Sequence, residues 1–314
     1  MRNRGADAPV EIPDSSVRAR KKWVSHGLSN AIVYGGLHYG ARWLPMSVLN
    51  GINLVGNSLA IALLRETQAG IRDNFRTALE LSEREAARLA RRLFFEYGRS
   101  TIDVWRLRSE AFVPRITTLA ADAGVLAKSR RNGRGFLLVT GHVGNWEMGA
   151  VTLRAHRLTP AVVGQPELDK NVQAMRLQLR SRLGVESIDI GSSMATAFKV
   201  RAGVDRGRAI ALLVDRAYPE DQVMVPFFGR PTPFLRSPAL LARFCGCDVL
   251  PGFFLRAGDG SYFNVWGEPL SADPASTPEE DAVRIMTRVA SDLESVIRAH
   301  PTQWFNFYRF WGSV

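Results

Sequence analysis

The stretch TGHVGNWEMG, Thr140 to Gly149, sets a histidine and a glutamate five positions apart, with glycines, an asparagine and a tryptophan around them. Both follow the apolar run FLLVTG, so His142 and Glu147 fall between a buried strand and the start of the next helix. Ligands of α/β proteins gather at the carboxyl ends of such strands. Gly141 and Gly144 permit a tight turn and the close approach of a substrate, and a helix start offers unpaired N–H groups to an anionic group. A histidine placed there can take a proton from a hydroxyl near neutral pH. Glu147, brought back beside it, would fix the tautomer and stabilise the imidazolium. On spacing alone the alternative stays open that the two are unrelated residues of a turn, with Asn145 capping it and Trp146 packing into the core.

Of the five histidines, His142 alone combines an acidic neighbour with a glycine-rich setting. His26 and His38 belong to an apolar N-terminal region, His156 lies between arginines, and His300 precedes a proline. The sequence has no G-x-S-x-G elbow, no P-loop and no complete G-x-G-x-x-G. It also lacks H-E-x-x-H or any other two-histidine metal spacing. The two cysteines, Cys245 and Cys247, sit in the apolar context ARFCGCDVL and read as small core residues of a reducing compartment. Acyl transfer or hydrolysis with neither metal nor cofactor is the chemistry that remains.

The elements that would position this site alternate. GFLLVTGH, Arg157–Gly164, AIALLVDR, DVLPGFFLR and SYFNVWGEPL read as strands. NVQAMRLQLRSRLG, MATAFKVRAGVDRG and SPALLARFCG read as helices between them, and EEDAVRIMTRVASDLESVIRAHP as a last helix closed by Pro301. The pattern predicts an α/β fold, a central mixed, largely parallel sheet flanked by helices. Ahead of it, residues 66–108 read as two amphipathic helices joined near Leu81, the second opened by a capping box of Ser82 and Glu85.

Residues 1–22 are a polar tail ending in Arg18, Ala19, Arg20, Lys21 and Lys22, expected to be flexible and unlike a signal peptide. Residues 23–65 form an apolar helical region, and 66–314 the catalytic domain. Trp43 to Leu64 carries no charged side chain, but three asparagines, two glycines and Pro45 dilute it. A helix lying in a membrane interface fits better than a span, and buried core helices are the alternative. The net charge of +11 suits acidic partners: an anionic lipid, a membrane surface or an acidic carrier protein. Nucleic acid is not expected, since zinc-finger spacing and RNP-like aromatics are missing.

GHVGNWE, an H-x-x-x-x-E motif, resembles that of the late acyltransferases of lipid A biosynthesis. These are the lauroyl and myristoyl transferases of the Gram-negative inner membrane, within the lysophospholipid acyltransferase superfamily. IRDNFRTALELSEREAARLARRLFFEYG, LLVDR with VMVPFFGRPTPF, and HPTQWFNFYRFW resemble further blocks of that family, so the likeness covers about residues 40–314 in order. It implies a glycerolipid acyltransferase-like fold at the cytoplasmic face of the inner membrane. It also implies transfer of a fatty acyl chain from acyl carrier protein or coenzyme A to a hydroxyl of a lipid A precursor, in lipopolysaccharide biosynthesis, with no cofactor. His142 would be the base and Glu147 its partner. Asn145, Gln165, Asp215, Arg216 and Arg230 would meet substrate. Two positions depart from the pattern: Gln165 stands where many relatives have arginine, and Arg216 where glutamine is frequent. Both bear on the acceptor more than on the reaction, so a lysophospholipid, an amino-acid lipid or a glycosylated phosphoinositide is the competing acceptor, and a basic membrane- or nucleic-acid-binding protein without catalysis is the competing class.

Overall fold

The centre of the molecule is a six-stranded sheet of order β3-β2-β4-β1-β7-β8, seen in a computed structural model that describes residues 44–109, 112–167, 169–190 and 193–311. The basic tail and the apolar sequence up to residue 43 lie outside the described residues. Strands β1 (Phe136–Thr140), β2 (Pro160–Gly164), β3 (Glu186–Asp189), β4 (Ala209–Leu213) and β7 (Val249–Arg256) run parallel, and β8 (Tyr262–Trp266) pairs antiparallel to β7. The largely parallel, mixed sheet is therefore as the sequence implies. Strand β3, sequence ESID, is the strand of this sheet that apolar patterning does not reveal. It is a short edge strand with one buried residue in four, where charged side chains guard an unpaired edge.

Strand β1 is buried along its whole length and distributes its side chains by the twofold strand period. Leu137 and Val139 face one layer with Val200 and Val204 of α7 (Ser193–Asp205), Ala239 and Ala242 of α8 (Ser237–Cys245), and Ile285, Val289 and Leu293 of α9 (Pro278–Ala299). Phe136 and Leu138 face the other, with Leu126 of α4 (Leu119–Lys128), Met148 and Leu153 of α5 (Met148–Ala155) and Leu179 of α6 (Lys170–Arg182). Helices on both faces explain why β1 reads as a continuous apolar run rather than an alternating one. A Leu137→Ala change here costs about 2–5 kcal/mol by cavity formation.

Two amphipathic helices precede the sheet as expected: α2 (Arg65–Leu79) and α3 (Glu83–Arg106), with both halves of the Ser82–Glu85 capping box formed. Their apolar faces, including Phe75, Leu93 and Phe94, join the layer that holds α9. The C-terminal aromatics complete that layer by packing. Trp304 is buried against Phe227, Phe310 and Trp311, and Phe307 meets Phe94 and Tyr97 edge to face. Phe227 and Arg230 end a separate hairpin of β5 (Val223–Phe227) and β6 (Arg230–Phe234), turned by Phe228 and Gly229 at positive φ, the two-residue connection that matches strand twist. Cys245 and Cys247 are buried free thiols.

Helix α1 (Met46–Leu63), begun at Pro45, is turned inside out. Its buried residues are Leu49, Asn53 and Asn57, while Val48, Ile52, Leu54, Val55, Leu59 and Leu63 are exposed. The asparagine face packs on α3: Asn53 Nδ2 donates to the Phe95 carbonyl at 3.3 Å, and Asn57 Nδ2 donates to Asn53 Oδ1 at 2.6 Å. Gly98 of α3 makes the room, since a Cβ there would lie 1.7 Å from Asn53 Oδ1. Each exposed aliphatic forgoes about 1.5–3 kcal/mol of burial in water. Among the described residues, α1 is the helix long and apolar enough to cross a membrane.

Candidate active site

The loop from Gly141 to Glu147 joins β1 to α5 and is held from three sides. The Phe305 N–H donates to the His142 carbonyl at 2.7 Å, Gly144 N–H to the Gln303 carbonyl at 2.8 Å, and Asn145 N–H to the Phe254 carbonyl at 2.7 Å. Gly144 has φ +64°, and a Cβ on it would sit 2.2 Å from the Phe254 carbonyl oxygen. Glycine is thus required both by conformation and by the closeness of β7. The Asn145 amide donates to the Ser100 carbonyl at 3.2 Å and to Tyr262 Oη at 3.1 Å. Tyr262 in turn donates to buried Asp103 at 2.8 Å, which also accepts from Arg256 Nε at 2.9 Å. Asn145 therefore anchors the turn to α3 and β8.

The partner of His142 is Asp215. Its Oδ1 lies 2.7 Å from His142 Nδ1, and its Oδ2 accepts the His142 backbone N–H at 3.0 Å. The reason lies in the sheet. Strands β1 and β4 are parallel neighbours with Thr140 opposite Leu213, and each of the two residues lies two positions past its strand. An ionised carboxylate only accepts, so Nδ1 carries the proton and Nε2 keeps its lone pair. Burial, and then the positive charge of Arg216, hold the His142 pKa below its ordinary value against the opposing pull of Asp215. Burial works to raise the Asp215 pKa, but the imidazole, its hydrogen bonds and Arg216 hold it down. An ionised Asp215 beside a neutral imidazole is a base ready to accept a proton.

Glu147 does not take the place expected for it. By that point the chain has passed through the Gly144 turn and reached α5, and Glu147 Oε1 accepts from Arg180 Nη2 of α6 at 2.8 Å. Burial alone would raise its pKa; Arg180 and Arg176 bring it down. The geometry corrects the partner assignment: Glu147 clamps α5 to α6, and Asp215 orients His142. Trp146 does approach the site, edge-on to the imidazole with ring centroids 5.5 Å apart.

The remaining expected residues divide. Arg216 stays close, its Nη2 3.4 Å from the Phe305 carbonyl and from Asn306 Oδ1, with its guanidinium over the Tyr308 ring. Gln165, past the end of β2, lines a small polar hollow with Glu167, Gln173, Arg176 and Arg180. Arg176, paired with Glu167 at 2.6 Å, also lines a second, mainly apolar cavity of about 70 Å³ between α3 and the Gly144–Glu147 turn. Arg230 is exposed at the hairpin tip, outside the linings of both. Sequence reasoning missed Arg180 and the orienting role of Asp215. The readable signal for the latter was LLVD, an acid closing a second buried strand.

A His–Asp pair at the carboxyl ends of two central parallel strands, next to an apolar cavity, suits transfer of a group carried on a hydrocarbon chain. The chain belongs to the bacterial lipid A biosynthesis acyltransferase family, whose model matches residues 20–313, and is an acyltransferase. It is similar to the phosphatidylinositol mannoside acyltransferase of Mycobacterium tuberculosis, 26% identical over 220 residues that cover 68% of this chain and 67% of the relative. Its counterpart in Mycolicibacterium smegmatis is 27% identical over 180 residues, 57% of each chain. Among solved structures, the 1-acyl-sn-glycerophosphate acyltransferase PlsC of Thermotoga maritima aligns with a TM-score of 0.35 and 16% identity, over 79% of this chain and 98% of the other.

Proposed function

We propose that the protein moves a fatty acyl chain from a carrier thioester directly to a hydroxyl of a membrane lipid. The observation that carries this is the Nδ1 contact of His142 with Asp215, which leaves Nε2 as base. Nε2 takes the proton of the acceptor hydroxyl as its oxygen attacks the thioester carbonyl carbon. The tetrahedral oxyanion collapses, the C–S bond breaks, and the leaving thiolate takes the proton back from the imidazolium. Asp215 stabilises that cation while it exists. No acyl-enzyme and no cofactor enter the sequence.

We assign the acceptor to a glycosylated phosphoinositide rather than a lipid A precursor. The mycobacterial relatives are named for such an acceptor, and the neutral amide of Gln165 suits a polyol more than a phosphate. The hollow of Gln165, Arg176 and Arg180 receives its polar head, with Arg216 tuning the base. The donor is acyl coenzyme A or acyl carrier protein, drawn to a surface of net charge +11. Helix α1 rests its aliphatic face in the cytoplasmic leaflet of the inner membrane, where six exposed aliphatics are satisfied by lipid.

Wild type and His142→Ala, in detergent, are given labelled acyl coenzyme A and acyl carrier protein thioesters. Phosphatidylinositol mannoside, a tetra-acylated lipid A precursor and lysophospholipids are supplied in separate tubes. Histidine-dependent labelling of the mannoside is the expected result. Labelling of the lipid A precursor alone would return the acceptor to that of the family's name, and transfer that survives His142→Ala would end the mechanism.

A further inference from the structure

The turn that carries His142 is held by a chain of polar contacts that the proposed reaction does not use. Arg256 ends β7 directly across from Tyr262 of β8, and both side chains converge on Asp103 of α3. Arg256 Nε donates to Asp103 Oδ2 at 2.9 Å, and Tyr262 Oη donates to the same oxygen at 2.8 Å. A carboxylate paired with a guanidinium only accepts. The phenol proton is therefore committed to Asp103, and the Oη lone pairs are left for Asn145. Asn145 Nδ2 donates to that oxygen and to the carbonyl of Ser100, three residues before Asp103 on the same helix. Arg256 also reaches the turn through its backbone. Its N–H donates to Gln303 Oε1 at 3.0 Å, its carbonyl accepts from Gln303 Nε2 at 2.9 Å, and the Gln303 carbonyl takes the Gly144 N–H. The ion pair is nearly out of water, with side chains 11% exposed for Arg256 and 4% for Asp103. Apolar side chains of similar volume often match such a buried pair in stability. What they cannot do is orient a hydroxyl.

We propose that Asp103, Arg256 and Tyr262 are positioning residues, which fix the Asn145 end of the turn and through it the direction of the His142 imidazole. The proposal rests on the acyl-transfer reading above, in which Nε2 must meet the acceptor hydroxyl. A misplacement of about 1 Å at a reacting group costs roughly 10²-fold in rate. None of the three residues lines either cavity, so their effect belongs in kcat and not in substrate binding.

The test compares wild type, Tyr262→Phe, the apolar pair Asp103→Leu with Arg256→Met, and all three changes together, after thermal melting confirms that each is folded. It measures kcat and KM for donor and acceptor. The His142 imidazole resonances, assigned against His142→Ala, are followed by NMR in the same variants, a readout that needs no turnover. Tyr262→Phe should lower kcat by about 10- to 10²-fold, leave both KM values near those of the wild type and displace the imidazole resonances. The apolar pair should fold and show the same loss. The triple variant should lose no more than either, because the changes act along one path. Tyr262→Phe carries the test if the apolar pair does not fold. An unchanged kcat in folded variants, a loss carried by KM, losses that multiply in the triple variant, or resonances that stay in place overturn the assignment. Resonances that move in Tyr262→Phe while transfer survives His142→Ala, or never occurs in the wild type, support the positioning and overturn the acyl-transfer reading.

Discussion

Two histidine–aspartate pairs in this protein are equally buried and chemically unlike. At His142–Asp215 the side chains are 17% and 0% exposed; at His156–Asp122 they are 17% and 1%. The first pair is in contact at 2.7 Å. The second is 3.9 Å apart, because Asp122 accepts instead from Asn264 Nδ2 at 2.5 Å and Trp266 Nε1 at 2.8 Å. A carboxylate whose lone pairs are taken by neutral donors holds a fold together. One that keeps them for an imidazole prepares a base. Burial does not separate the two roles; hydrogen-bond allocation does.

The largest effect that would test this contrast is loss of the base. His142→Ala should lower kcat/KM by about 10³-fold or more, the scale of general-base catalysis with its orienting partner, while His156→Ala leaves turnover within a few fold; a kinetic assay of both decides it. Next comes the partner. Asp215→Asn should cost about 10²–10⁴-fold in kcat, against a much smaller loss for Glu147→Gln, and equal losses would restore Glu147 to the role its spacing suggested. Asp122→Asn should act on stability instead, about 1–3 kcal/mol by denaturant melting for the disturbed buried hydrogen bonds, with kcat unmoved. The smallest effect is a shift in pH dependence. As the proposed base, His142 would work in its neutral form, so activity should rise with pH through its pKa. Arg216 helps hold that pKa down, so Arg216→Gln should move the acid limb of kcat/KM to higher pH, and a limb that stays or moves lower would count against it.

Much of this was legible in the sequence, for definite reasons. Strands β1, β2, β4, β7 and β8 are apolar runs because helices cover the sheet, and α3 announced itself through Ser82 and Glu85. Strand β3 was hidden because Ile188 is the one buried apolar residue among its four. Helix α4, LAADAGVLAK, is too short and too evenly apolar for its period to show. His142 could be found from its glycines and the strand before it. Its partner could not be found by local spacing, because Glu147 is near in sequence while Asp215 is near through β1–β4 pairing. The asparagines of α1, which look like dilution of an apolar stretch, are its protein-facing side, so its pattern inverts once water is no longer assumed outside.

The β1–β4 register has a consequence for how the enzyme comes to life. His142 and Asp215 are 73 residues apart in the chain and meet only once two parallel strands have found each other. Such non-local pairings are slow steps in folding. During refolding, secondary structure should return before acyl transfer does, and a chain with β4 still undocked carries the proposed base without its Asp215 contact. Recovery of turnover then becomes a clock for closure of the central sheet.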